Sequence, residues 1–80
     1  MTIEECFIVY PEGESQELDA PLKIDQLVDI NGRVLVLPLA SPRMIAYRVV
    51  KIRRLEERGM RSILHYVELV PAVELLTYCS

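Results

Sequence analysis

Short apolar runs separated by Gly, Pro and Asn dipeptides punctuate the chain, and the spacing within most of them is close to two. That period predicts strands. Glu5–Tyr10 (ECFIVY) sets Cys6, Ile8 and Tyr10 on one face and Phe7 and Val9 on the other, and Pro11-Glu12-Gly13 closes it with a turn signal. Glu14–Ala20 is polar and acidic and reads as a loop with a short edge strand around Leu18. In Pro21–Val28 (PLKIDQLV) the apolar positions Leu22, Leu27 and Val28 do not alternate, so a helical turn is expected there. Asn31-Gly32 is a turn dipeptide that tolerates positive φ, and Arg33–Leu39 (RVLVLPL) reads as the strand that follows it.

Met44–Glu57 (MIAYRVVKIRRLEE), the tight turn Arg58-Gly59 and Met60–Val70 (MRSILHYVELV) predict one long hairpin. Alternation slips at Val49-Val50: Ile45, Tyr47 and Val49 share one face, and Val50 and Ile52 share the other. A bulge or a barrel bend accounts for such a slip. Pro71–Tyr78 (PAVELLTY) is expected to make a short turn and then a last short strand.

Five or six short strands in 80 residues predict an all-β, mainly antiparallel fold, a small five- to six-stranded barrel with room for one short helical turn. The strand order over Leu22–Tyr78 resembles that of small barrels of the Src-homology-3 or Tudor kind. No diagnostic motif of either family is present. Four Tyr, one Phe and no Trp do not supply the aromatic-rich peptide groove of the first. Residues 1–80 read as a single domain without repeats, linkers or low-complexity segments.

A composition 51% hydrophobic and 26% charged is that of a globular chain rather than a disordered one. The longest apolar run, Val34–Ala40, falls well short of the roughly 18 residues that cross a bilayer, so no membrane partner is expected. The acidic start Met1–Glu5 has none of the features of a signal peptide, and a cytoplasmic protein is expected. Cys6 and Cys79 lie at opposite ends of the chain. They are expected to be reduced thiols, with a terminal staple as the alternative if the first and last strands pair.

The inventory for catalysis is thin. His65 is the one histidine, stands mid-strand and is expected at the surface or half-buried, and no zinc-ligand spacing surrounds it. Each glycine (Gly13, Gly32 and Gly59) is a turn residue, so no phosphate-cradling loop exists. Adjacent carboxylates such as Glu4-Glu5 and Glu56-Glu57 point to opposite strand faces and cannot act on one atom together. No catalytic residue, metal, cofactor or small-molecule substrate is expected.

Charge is unevenly spread. Met1–Ile30 carries net −7 and Asn31–Ser80 net +4, with the positive charge densest in Arg43–Arg61. A basic hairpin can follow a phosphate backbone, so one reading is a nucleic-acid-binding small barrel using Arg48, Lys51, Arg53, Arg54 and Arg58. On a regular strand Lys51 and Arg53 share one face and Arg48 and Arg54 the other, and Tyr47 and Tyr66 lie near each other across the hairpin to stack on bases. Against it stands a sequence pI of about 5.0, far below the usual footprint of such proteins. The acidic half is able to neutralise the basic one.

The second feature is surplus apolar surface. Arg33–Leu39 and the first strand are apolar on both faces, whereas a single-layer antiparallel sheet needs only one. The excess calls for a cover, either a segment of the chain itself or a partner. The leading expectation is therefore a non-enzymatic protein–protein interaction module or a small accessory or regulatory subunit. It self-associates as a homo-oligomer or docks on a protein partner through Val34, Val36, Leu75 and Tyr78.

Overall fold

The computed structural model describes residues 3–79. One sheet, in the order β2-β1-β5-β4-β3, is built from β1 (Ile3–Val9), β2 (Ser15–Leu18), β3 (Leu27–Asp29), β4 (Ala46–Glu57) and β5 (Met60–Leu69). A four-residue helix, α1 (Ala72–Leu75), and a 3-10 turn, Leu76–Tyr78, follow. The sheet curls into a half-barrel. Its pairings are antiparallel except that of β1 with β5, which is parallel. The expectation of an all-β, mainly antiparallel, five-stranded fold holds, with one parallel pairing and a barrel that is only half closed.

The β4–β5 hairpin dominates the shape, and its length draws the molecule out to 45 × 22 × 17 Å. Arg58 and Gly59 close it, both at positive φ, 47° and 81°, as a two-residue type I′ connection demands. The expected bulge is present. Pairing passes from Val49↔Val67 directly to Lys51↔Tyr66, leaving exposed Val50 outside the ladder. Because one extra residue flips all later side chains, Tyr47, Val49 and Ile52 point to the inner face while Arg48, Lys51 and Arg53 share the outer one. This corrects the regular-strand expectation, since Arg54, not Arg48, is on the inner side.

Each face has its own core. On the inner, concave face Ile8, Tyr10, Val28, Tyr47, Val49 and Val67 pack together with Leu22, and Tyr10 meets Tyr47 edge-on at 5.1 Å. Fully burying one such aliphatic side chain stabilises by roughly 1.5–3 kcal/mol. Gly32, at φ 81°, closes the turn after β3 so tightly that a Cβ there would lie 3.2 Å from Ile8 Cδ1. On the outer face, at the β3 end, Leu27, Leu39, Ala46, Val70 and Leu75 form a second cluster. The surplus apolar surface of the strands is thus covered at that end by the chain's own C-terminal segment.

Three expected elements are different. Pro21–Val28 contains no helical turn: a turn at Ile24-Asp25 leads into β3, and the extended backbone lets Leu27 and Val28 bury on opposite faces. Arg33–Leu39 is not a strand. Its strand pairing is limited to isolated bridges, Val34 to Val28 and Leu39 to Cys79, and Pro38 has no N–H to carry a ladder between them. Pro71–Tyr78 coils instead of pairing. Pro71 is the extended residue before α1 rather than its first helical position, its carbonyl accepts from the Glu74 and Leu75 N–H groups, and Cys79 alone makes a bridge.

Candidate functional site

His65, expected at the surface or half-buried, is fully buried. Its Nε2 accepts the Leu22 backbone N–H at 3.0 Å, which leaves the proton on Nδ1 to donate to the Phe7 carbonyl, also at 3.0 Å. With both ring nitrogens engaged by main chain, the imidazole ties the Pro21–Leu22 segment to the sheet and has no lone pair or proton to offer a substrate. Among the described residues no group of three or more His, Cys, Asp or Glu side chains converges to hold a metal ion. Both cysteines are free, and burial, reinforced by Glu4, pushes the Cys6 thiol above its ordinary range. A groove of about 530 Å³ lies between β2 and the Asn31–Val34 turn. Its Gln16 is already donating to the Asn31 carbonyl.

The four residues expected to form a contact face do not share a surface. Val34 and Val36 are exposed, 47% and 82%, on the loop after β3, but Leu75 is 2% exposed. Pro71 ends β5 and turns the chain back over the sheet, so Leu75 is spent on the second core cluster and Tyr78 packs half-buried against it. The bulge and the ion pairs break up the basic set in a similar way. Arg48 donates to Glu68 at 2.6 Å and to Glu74 at 2.5 Å. These bonds, Glu68 first and then Glu74, hold its guanidinium above the ordinary range. Arg61 pairs with Glu4 and Glu56 on the inner face. Lys51 and Arg53 are exposed on the outer face, Arg54 is on the inner one, and Arg58 is in the turn. Tyr47 is buried and Tyr66 lies on the opposite face, so they form no stacking pair.

What the strands do bring together is a row that sequence reasoning missed. Register places Glu17 of β2 beside Phe7 of β1, Phe7 beside Leu64 of β5, and Leu64 beside Arg53 of β4, all on the outer face. The next row is Ser15, Val9, Tyr66 and Lys51, with the Lys51 ammonium 5.9 Å from the centre of the Tyr66 ring. Towards the hairpin tip, Ile3, Leu55 and Met60 are 56%, 43% and 41% exposed. Phe7, Val9, Leu64 and Tyr66 are only half-buried and belong to neither core cluster. The covered half of this face stops at the Arg48–Glu68–Glu74 ion pairs, and the open half begins beyond them. The signal was present in the apolar Phe7 and Val9, but two apolar faces give no sign of which one is turned inwards.

A family model described as an uncharacterised Treponema protein matches residues 2–78. The chain belongs to that family. No curated protein and no solved structure matches it. Within this Treponema family member, the functional reading rests on the geometry of the outer face. Among the described residues no helix is long and apolar enough to cross a membrane.

Proposed function

We propose that this protein is a non-enzymatic interaction module that binds protein through the open half of its outer face, formed by β1, β5 and β4. One observation carries the reading. Phe7, Val9, Leu64 and Tyr66 make a contiguous apolar surface outside both cores, extended by Leu55 beside Glu5 and Ser62 and then by Ile3 and Met60. Exposed apolar surfaces of this kind on small proteins mark contacts, and an outer sheet face rimmed by Glu17, Lys51 and Arg53 has the apolar centre and polar edge of an interface. Fixed main-chain partners on His65 and the dispersal of the basic side chains favour binding to protein over chemistry or phosphate recognition.

The test is site-specific photocrosslinking in cells, with a photoreactive residue at position 7 and a control at exposed Glu12, away from the sheet. Protein adducts are expected from position 7 and not from the control. Absence of protein adducts at position 7 would defeat the proposal.

A further inference from the structure

We infer that the occupant of the open face is a second copy of this chain, related to the first by a two-fold axis parallel to the strands and passing between β1 and β5. This rests on the interaction reading above and names its partner. The observation behind it is the order of side chains in one row: acidic Glu17, then Phe7 and Leu64, then basic Arg53. The row is self-complementary. Laying a copy on it about that axis sets Glu17 opposite the partner subunit's Arg53, Phe7 opposite the partner subunit's Leu64, and the same pairs again in reverse. A two-fold axis running across the strands would instead put Glu17 on its own equivalent and Arg53 on its own, with like charges facing. One orientation is therefore selected and the other penalised, as an isologous interface requires.

The adjoining row fits the same operation. Ser15 faces the partner subunit's Lys51 and Val9 faces the partner subunit's Tyr66, and in the row on the other side Glu5 faces the partner subunit's Ser62, so each of these charges meets a polar neighbour. At strand and residue spacings of about 4.8 and 3.3 Å, the rows from Ile3 to Val9 span roughly 15 by 23 Å with their charged rim, on the order of 700 Å² over the two copies and below the usual range of specific interfaces. The dimer is accordingly weak and forms in the micromolar range or above. The C-terminal segment does not compete for the site, because it is fixed at the far end of the face by Leu75 and by the Arg48–Glu74 ion pair.

Sedimentation velocity over about 5–500 µM tests the inference, with circular dichroism to show that each variant folds. The wild-type chain is expected to pass reversibly from monomer to dimer. Leu64→Glu should abolish association. Glu17→Lys alone and Arg53→Glu alone should each weaken it about tenfold, and the double charge swap in one chain should restore it, because the two opposite pairs are re-created with signs exchanged. A monomer throughout the range overturns the inference, as does a dimer indifferent to Leu64→Glu or a swap that fails to rescue. Should the chain stay monomeric while position 7 crosslinks to a different protein, the interaction reading survives and the second copy is ruled out. If position 7 yields no protein adduct at all, both fall.

Discussion

The backbone N–H of Leu22 donates to Nε2 of His65, 43 positions further along the chain, in an environment closed to water. The bond holds the irregular Pro21–Gln26 segment over the concave core, where Leu22 packs. Replacing His65 with Leu keeps an apolar volume there but leaves that N–H and the Phe7 carbonyl without their partner. A buried donor stranded in this way costs about 1–3 kcal/mol, and the imperfect fit adds to it. We expect His65→Leu to lower the unfolding free energy by about 2–4 kcal/mol in urea titration. A loss within about 0.5 kcal/mol, the range of an ordinary surface substitution, would show that the imidazole holds nothing in place.

At the opposite end of the sheet, apolar contact and ion pairing both fasten α1, and their magnitudes differ. Leu75 is buried among Leu27, Leu39, Ala46 and Val70, so Leu75→Ala should cost about 2–4 kcal/mol. The Arg48 pairs face solvent on the carboxylate side, where Glu68 and Glu74 are 51% and 33% exposed, and Arg48→Met should cost no more than about 1 kcal/mol. Denaturant titration of the two variants gives the order directly. A larger loss from Arg48→Met would make the ion pairs, not the leucine, the principal fastening.

Alkaline pH should weaken the fold. Burial, then Tyr47 and Asp29, raise the Tyr10 hydroxyl from its ordinary 10.0, and burial with Glu4 raises the Cys6 thiol from 9.0. Both acids keep their protons longer in the folded chain than in the unfolded one. Their contribution is therefore complete below the unfolded values and is lost as pH rises through the folded ones. The urea midpoint should be level between about pH 7 and 8 and fall by about pH 11, with a shallower fall in Tyr10→Phe. An equal slope in that variant would remove Tyr10 from the account. The same burial predicts that, in a Cys79→Ser background, Cys6 reacts with a thiol reagent only at the rate of unfolding.

Dispersed basic charge predicts poor binding to nucleic acid. Arg48 and Arg61 are spent on the protein's own carboxylates, and the other basic residues of the hairpin point to both sides of it. Anisotropy titration of labelled single-stranded RNA and duplex DNA at about 200 mM salt should give no dissociation constant below about 10⁻⁴ M, the weak limit of non-specific binding. Tighter, steeply salt-dependent binding lost on reversing Arg53 and Arg54 would move the function to phosphate recognition.

Local chemistry was enough to settle the hairpin, its turn and its bulge. Gly59 takes its positive φ at no steric cost and marks the turn, and the slip at Val49-Val50 is legible because a period of two shows any extra residue. The strand character of Glu5–Val9 and the edge strand near Leu18 were equally visible, being matters of composition and flanking turns.

Everything that depends on a partner distant in sequence was decided by the fold. Cys6, Ile8 and Tyr10 differ little in polarity from Phe7 and Val9, so no pattern says which set is inside. The parallel placement of β1 on β5 chooses, by setting Ile8 beside His65 and Phe7 beside Leu64. His65 looks like any mid-strand histidine until Leu22 and Phe7 arrive to satisfy it. Val34–Leu39 and Leu75–Tyr78 have strand-like composition, yet no neighbouring strand offers them a ladder, and they settle as loop and helix over Ala46. The row from Glu17 to Arg53 draws on four strands, and a side chain acquires its place in such a row only when the backbones either side of it pair in register.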